Sequence, residues 1–189
     1  MALYLTPKFT AGFCAISKPY ENEFILKARF EGDEKEQFLE VLKKAVADDG
    51  RSNVTPSGVK WEEDADGEKT GALLVTFKCK AGGVRKKDGS AWSRTLKIVD
   101  CKNKAVNEEV SKGSTVRVKF TTYGTQFGGT DYLRLQPHSV QVIDLVQYTG
   151  GDAADAFEEV EGGFESTAKA PTVTERVAES VDTSDSWNF

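Results

Sequence analysis

Apolar and polar residues alternate along most of this chain, and one segment breaks that rhythm. Residues 13–30 read as extended, with Pro19-Tyr20-Glu21-Asn22 as a turn between two strands. Between 33 and 46 the period becomes helical. Phe38, Leu39, Leu42, Ala45 and Val46 fall on one stripe, Asp33 is placed to cap the helix, and Glu36 can reach back to the cap N–H. Residues 48–71 are polar and punctuated by Gly and Pro, which predicts a long loop with a short strand at 59–61. Beyond it the period is two: Leu73, Val75, Phe77 and Cys79 alternate with Leu74, Thr76, Lys78 and Lys80. A strand at 91–99 follows the hairpin signal Asp88-Gly89. Residues 115–123 alternate again, and so do 132–147 past an interruption at Pro137. One helix among five or six antiparallel strands predicts a mainly β fold, a small closed or partly closed β-barrel.

Charge divides the chain. Its 189 residues carry a formal net charge of −5. Residues 151–189 hold ten acids against Lys169 and Arg176, a balance of −8 that leaves residues 1–150 at +3. Within the latter, 69–119 holds thirteen bases and four acids, a local balance of +9. The division predicts one domain over 1–150 and an acidic, largely disordered tail over 151–189. A basic middle calls for an anionic ligand, and an acidic end for a regulatory or partner role.

The letters of most enzyme motifs are missing. There is no GxxxxGK[ST], GxSxG or HExxH, and the single histidine, His138, cannot serve a relay that needs a base oriented by a third group. Cys14, Cys79 and Cys101 are far apart and form no CxxC, so neither a disulfide scaffold nor a zinc site is predicted. No apolar run approaches the roughly 18–20 residues of a membrane helix, and 1–10 lacks the order of a secretion signal. The expectation is a protein that is not an enzyme, needs no cofactor or metal, and works in a reducing cytoplasm away from membranes.

Binding chemistry is present instead. On the strand 115–123, Val116, Val118 and Phe120 share the core parity, while Arg117, Lys119, Thr121 and Tyr123 share the other. Cations beside an aromatic on one exposed sheet face suit a single-stranded nucleic acid, charge meeting phosphates and a π-face meeting unstacked bases. The hairpin tip adds Arg85, Lys86 and Lys87, with Trp92 and Arg94 just after it, and the loop 124–129 offers Phe127 on a mobile arm. Trp92 shares parity with Arg94, Leu96 and Ile98, so its ring is either a platform for bases or part of the core. The tail ends Ser184-Asp185-Ser186-Trp187-Asn188-Phe189, two large rings at the end of an acidic linker, which reads as a docking peptide.

These pieces resemble a family. Thr76-Phe77-Lys78-Cys79, Leu96-Lys97-Ile98-Val99-Asp100, Gly113-Ser114-Thr115-Val116-Arg117-Val118-Lys119-Phe120, Leu133-Arg134-Leu135-Gln136, Gly150-Gly151 and an acidic tail ending in Phe are similar to the replisome single-stranded DNA-binding proteins of podophages and related phages. Ala15-Ile16-Ser17-Lys18-Pro19-Tyr20 matches that family's early strand. The resemblance implies a five-stranded OB-type antiparallel barrel with one helix, coating single-stranded DNA in replication, recombination, repair and annealing in the cytoplasm of an infected bacterium. It maps the family's aromatic pair onto Tyr123 and Phe127. Lys18, Tyr20, Lys78, Lys80 and Lys97 complete the candidate DNA-binding set. It further implies dimerisation through the tail, and recruitment of the replicative DNA polymerase and helicase–primase by the terminal aromatic, Phe189. Asp182, Asp185 and Trp187 complete the candidate partner-binding set read from the docking peptide. The residues themselves leave two other readings open, an RNA-binding barrel and a protein-binding scaffold.

Overall fold

The computed structural model describes residues 2–147. Strand β1 is Tyr4–Leu5, β2 is Phe9–Tyr20 and β3 is Glu23–Phe30. The expected turn joins the last two, with Glu21 and Asn22 both at positive φ (48° and 62°). Helix α1 runs Gly32–Asp49, followed by β4 (Thr55–Ser57), β5 (Val59–Glu63) and β6 (Lys69–Lys80). The strands β7 (Gly82–Val84), β8 (Ala91–Ser93), β9 (Lys97–Val99), β10 (Thr115–Phe127) and β11 (Thr130–Asp144) complete the described fold.

The main sheet is ordered β4-β11-β10-β2-β3-β6-β5, with β1 added on β10 and β9 on β11, while β7 and β8 form a separate hairpin. Among the described residues the fold is therefore mainly β with one helix, as the periodicity implies. Two details of the expectation do not hold. The pairings β4–β11 and β9–β11 are parallel, so the sheet is not all antiparallel. Nor is it closed into a barrel. Among the described residues, β6 and β11 meet where the Cys79 thiol donates to the Pro137 carbonyl at 3.9 Å, but no ladder joins them. Pro137 has no N–H to contribute to one.

The core gathers aromatic rings from one helix and three strands. Phe38 of α1 stacks on Phe30 of β3 at 4.5 Å and meets Phe77 of β6 edge-on, and Phe120 of β10 packs on both Phe38 and Phe77. Phe30, Phe38, Phe77 and Phe120 are all at most 1% exposed. Rings of this size, wholly buried, each contribute about 1.5–3 kcal/mol of apolar transfer energy. The predicted stripe of α1 delivers this contact: Phe38, Leu42 and Ala45 are its buried residues. Its start differs from expectation. Glu31, in extended backbone, is the cap, and Asp33 lies in the first turn. The Glu31 carboxylate makes no capping bond because Arg29 holds it at 2.6 Å.

Three further boundaries move. The polar stretch 48–71 holds the expected short strand, β5, but also β4 and the start of β6 in place of loop. The strand expected over 91–99 is broken at 94–96, where the Arg94 N–H donates to the Ala81 carbonyl at 2.6 Å before the chain crosses to pair with β11. Finally, Gly124 does not end β10, which continues to Phe127. The chain reverses at Gly128-Gly129, whose φ values of 58° and 79° suit a two-residue hairpin turn. Gly124 serves close approach instead. A Cβ there would run into the guanidinium of Arg51, which lies over the strand and ties Asp49 to Asp131 of the hairpin.

Candidate nucleic-acid interface

A groove of about 610 Å³ opens where β3, β4, β6, β8, β10 and β11 converge. Its wall carries Lys78 and Lys80 on β6, Trp92 on β8, Arg94 just beyond, Tyr123 on β10 and Arg134 on β11. Each arrives by a simple rule. On β6 the alternation that buries Phe77 and Cys79 turns Lys78 and Lys80 outward. Tyr123 and Arg134 are directly opposite across the β10–β11 ladder, so one ring and one cation stand side by side.

Trp92 resolves toward the groove rather than the core. Its strand pairs with Gly83, and a Cβ on Gly83 would meet the indole nitrogen at 3.2 Å, so the ring lies against bare backbone. The break at 94–96 then releases Leu96 and Ile98 to pack inward without taking Trp92 with them; Ile98 joins the main core. The Arg94 guanidinium sits 5.9 Å from the Trp92 ring centre. The groove's thiol, Cys79, is buried, and burial pushes its pKa up while Arg94 pulls the other way. It is a packed thiol, not a nucleophile.

Charge pairing sorts the groove's cations. Lys78 is bound to Glu23 at 2.5 Å. Among the described residues, Lys80, Arg94 and Arg134 have no carboxylate partner. Arg134 went unsingled in the sequence, although Leu133 and Leu135, both buried, put it outward by period two.

Other candidates lie elsewhere. Lys97, Arg117 and Lys119 line a second groove, together with residues of β1, β9 and β11. Arg85, Lys86 and Lys87 are exposed at the tip of the β7–β8 hairpin, where Asp88 accepts from Ser90 and its carboxyl is held below the usual range. Phe127, 80% exposed, ends β10 as a strand residue rather than on a loop. Lys18 is spent on Glu109 at 3.4 Å, and Tyr20 packs edge-on against Phe13, away from both grooves. The tail candidates Asp182, Asp185, Trp187 and Phe189 lie outside the described residues.

No protein-family model matches the chain, and no curated protein matches its sequence. Solved structures do. The chain is similar to gp2.5, a single-stranded DNA-binding protein of bacteriophage T7, with 18% identity over 88% of this chain and 99% of that one, at a TM-score of 0.60. It is similar also to the single-stranded DNA-binding protein of bacteriophage Enc34, in a C-terminally truncated form (10% identity, 77% and 87% covered, TM-score 0.56). The same protein in complex with single-stranded DNA gives 10% identity, 78% and 89% coverage and a TM-score of 0.56. At such identities the likeness is one of fold alone, shared with these two phage proteins.

Proposed function

We propose that the protein binds single-stranded DNA without sequence preference, in an OB-type arrangement of its strands. Bases stack on Trp92 and Tyr123 while Lys80, Arg94 and Arg134 meet phosphates. The observation that supports this reading best is the meeting of two rings and three cations without carboxylate partners in one groove, brought there from β6, β8, β10 and β11. Stacking tolerates any base, and unpaired cations gain from phosphate what they lack from the protein. A fold shared with a phage protein seen with single-stranded DNA adds to it.

The wider role follows from that reading. The protein is not an enzyme and needs no cofactor or metal. It coats DNA during replication, recombination, repair and annealing in the cytoplasm of an infected bacterium. Residues 151–189 form a separate acidic tail, and its end (Asp182, Asp185, Trp187, Phe189) recruits the replicative polymerase and helicase–primase and supports a homodimer. Deleting Phe189 alone separates the roles: polymerase binding falls by tens of fold while DNA affinity holds, since buried rings concentrate interface energy. Equal polymerase binding by both forms would remove the docking role.

The test of DNA binding is a titration with single-stranded DNA, duplex DNA and RNA of one length across salt. Phosphate contacts at Lys80, Arg94 and Arg134 give a log–log slope of about −2 on single strands, from roughly −0.7 per contact. A flat salt response, or duplex or RNA bound as tightly as the DNA single strand, overturns the reading.

A further inference from the structure

The second groove, about 550 Å³, differs in kind from the first. Lys97, Arg117 and Lys119 converge on it, with Asn103, Ser139 and Gln141 as its polar neighbours. No aromatic ring and no carboxylate lines it. The nearest acid on the adjoining turn, Asp100, is occupied within that turn, accepting the N–H groups of Lys102 and Lys104 at 2.8 Å. Among the described residues, none of the three cations has a carboxylate partner. Arg117 donates through Nε to the Thr6 carbonyl at 3.3 Å, which aims its guanidinium without neutralising it.

Both grooves lie along one face of the β10–β11 ribbon. On β10, Arg117, Lys119 and Tyr123 share the parity opposite to the buried Val116, Val118 and Phe120. On β11 the parity has to switch, because the outward residues are Arg134 and Gln136 at one end and Ser139 and Gln141 at the other. A bulge makes that switch. Lys119 pairs with Ser139 and Phe120 with Pro137, leaving His138 without an opposite residue. The face therefore runs on unbroken from the aromatic groove to the cationic one. Lys119 and Tyr123 are four strand residues apart, about 13 Å at roughly 3.3 Å per residue.

We infer that the groove of Lys97, Arg117 and Lys119 is a phosphate-only subsite: a strand whose bases stack at Trp92 and Tyr123 continues along the ribbon and is held there by its backbone alone. This deepens the single-stranded DNA reading and rests on it. The footprint then has two parts of different chemistry, one that engages bases and one indifferent to them. Three phosphate contacts account for a salt slope of about 2, hence roughly a hundredfold of affinity at 0.1 M salt relative to 1 M.

The experiment compares the full chain with a Lys97→Gln/Arg117→Gln/Lys119→Gln variant, and with Trp92→Ala/Tyr123→Ala. The probes are dT5, dT20 and a 20-nucleotide abasic strand. Because Arg117→Gln also removes the bond to Thr6, a Lys97→Gln/Lys119→Gln variant, with an expected loss of about 25-fold, covers a folding failure. In the triple variant the advantage of dT20 over dT5 falls by roughly a hundredfold at 0.1 M salt, and abasic-strand binding falls alike. The aromatic variant loses dT5 but keeps the abasic strand. If dT5 and dT20 weaken equally in the triple variant, the two grooves are one undivided site and the inference is wrong. If dT20 and abasic strand bind the triple variant as they bind wild type, the inference fails while the parent reading stands. If the abasic strand binds wild type through these cations but dT5 binds nothing, the subsite stands and the stacking groove falls.

Discussion

Two tryptophans of this protein each lie beneath a cation, and they differ in what that cation does next. Lys35 sits 5.7 Å from the ring centre of Trp61, and its ammonium group also bonds the Gly71 carbonyl at 3.1 Å and pairs with Glu36 at 3.5 Å. Arg94 sits 5.9 Å from Trp92 and has no carboxylate partner among the described residues. The contrast extends to each surroundings. Around the helix and β5, Arg29 grips Glu62 and Glu31, Lys43 pairs with Glu40, and Arg51 with Asp49 and Asp131. Around the grooves, Lys78 pairs with Glu23, but Lys80, Arg94, Arg134, Lys97, Arg117 and Lys119 have no carboxylate partner among the described residues. Cations paired within the protein serve the fold, whereas cations left together without acids repel one another and are relieved by an outside anion.

The largest expected effect is on the fold side. Phe38→Ala removes a fully buried ring from the centre of the core and should cost about 3–5 kcal/mol of stability. Urea unfolding measures it, and a loss under 1 kcal/mol would mean that the ring cluster is not the organising contact. On the groove side, Trp92→Ala and Tyr123→Ala should each weaken single-stranded DNA binding by about 1–3 kcal/mol, with unfolding midpoints close to wild type. Should Trp92→Ala unfold instead, the two tryptophans are alike and the contrast breaks. Next in size, Arg94→Gln/Arg134→Gln should lower the salt slope by about 1.4 units. An unaltered slope would place both cations away from phosphate.

The smallest effect sharpens the paired side. The Arg29 guanidinium, and then the Thr70 hydroxyl, hold the Glu62 carboxyl at about 2, below its ordinary 4.5. A depressed carboxyl contributes stability that is complete above its unfolded value and is lost as pH falls from about 4.5 toward 2. Glu62→Gln should therefore be slightly less stable than wild type at pH 7 and converge on it near pH 2, with DNA affinity unaltered at neutral pH. A pH-independent gap between the two proteins would contradict this assignment.

Much of this was legible in the sequence, for identifiable reasons. Period two placed Lys78 and Lys80 outward and Phe77 inward, and the helical stripe marked Phe38, because both patterns are local. Three things were not. Trp92 could not be separated from the core, since the break at 94–96 depends on a bond from Arg94 to Ala81 across the hairpin. Gly124 looked like a strand end because its tolerance comes from Arg51, distant in sequence. Arg117 and Lys119 share a parity with Tyr123, yet they open into a different groove, because β1 and β9 pair onto the edges of the β10–β11 ribbon at that end and bring Leu5 and Lys97 beside them, pairings that no local pattern reveals.

The most direct test of the contrast uses the tryptophans themselves. Two proteins, one keeping only Trp92 and one keeping only Trp61, the other tryptophans replaced by Phe, are titrated with oligo-dT while intrinsic fluorescence is followed. Base stacking at the groove predicts that Trp92 emission is quenched in proportion to strand bound, with Trp61 emission unchanged. Trp92 emission that stays constant while the strand binds, or quenching of Trp61 in its place, would contradict the assignment of the groove.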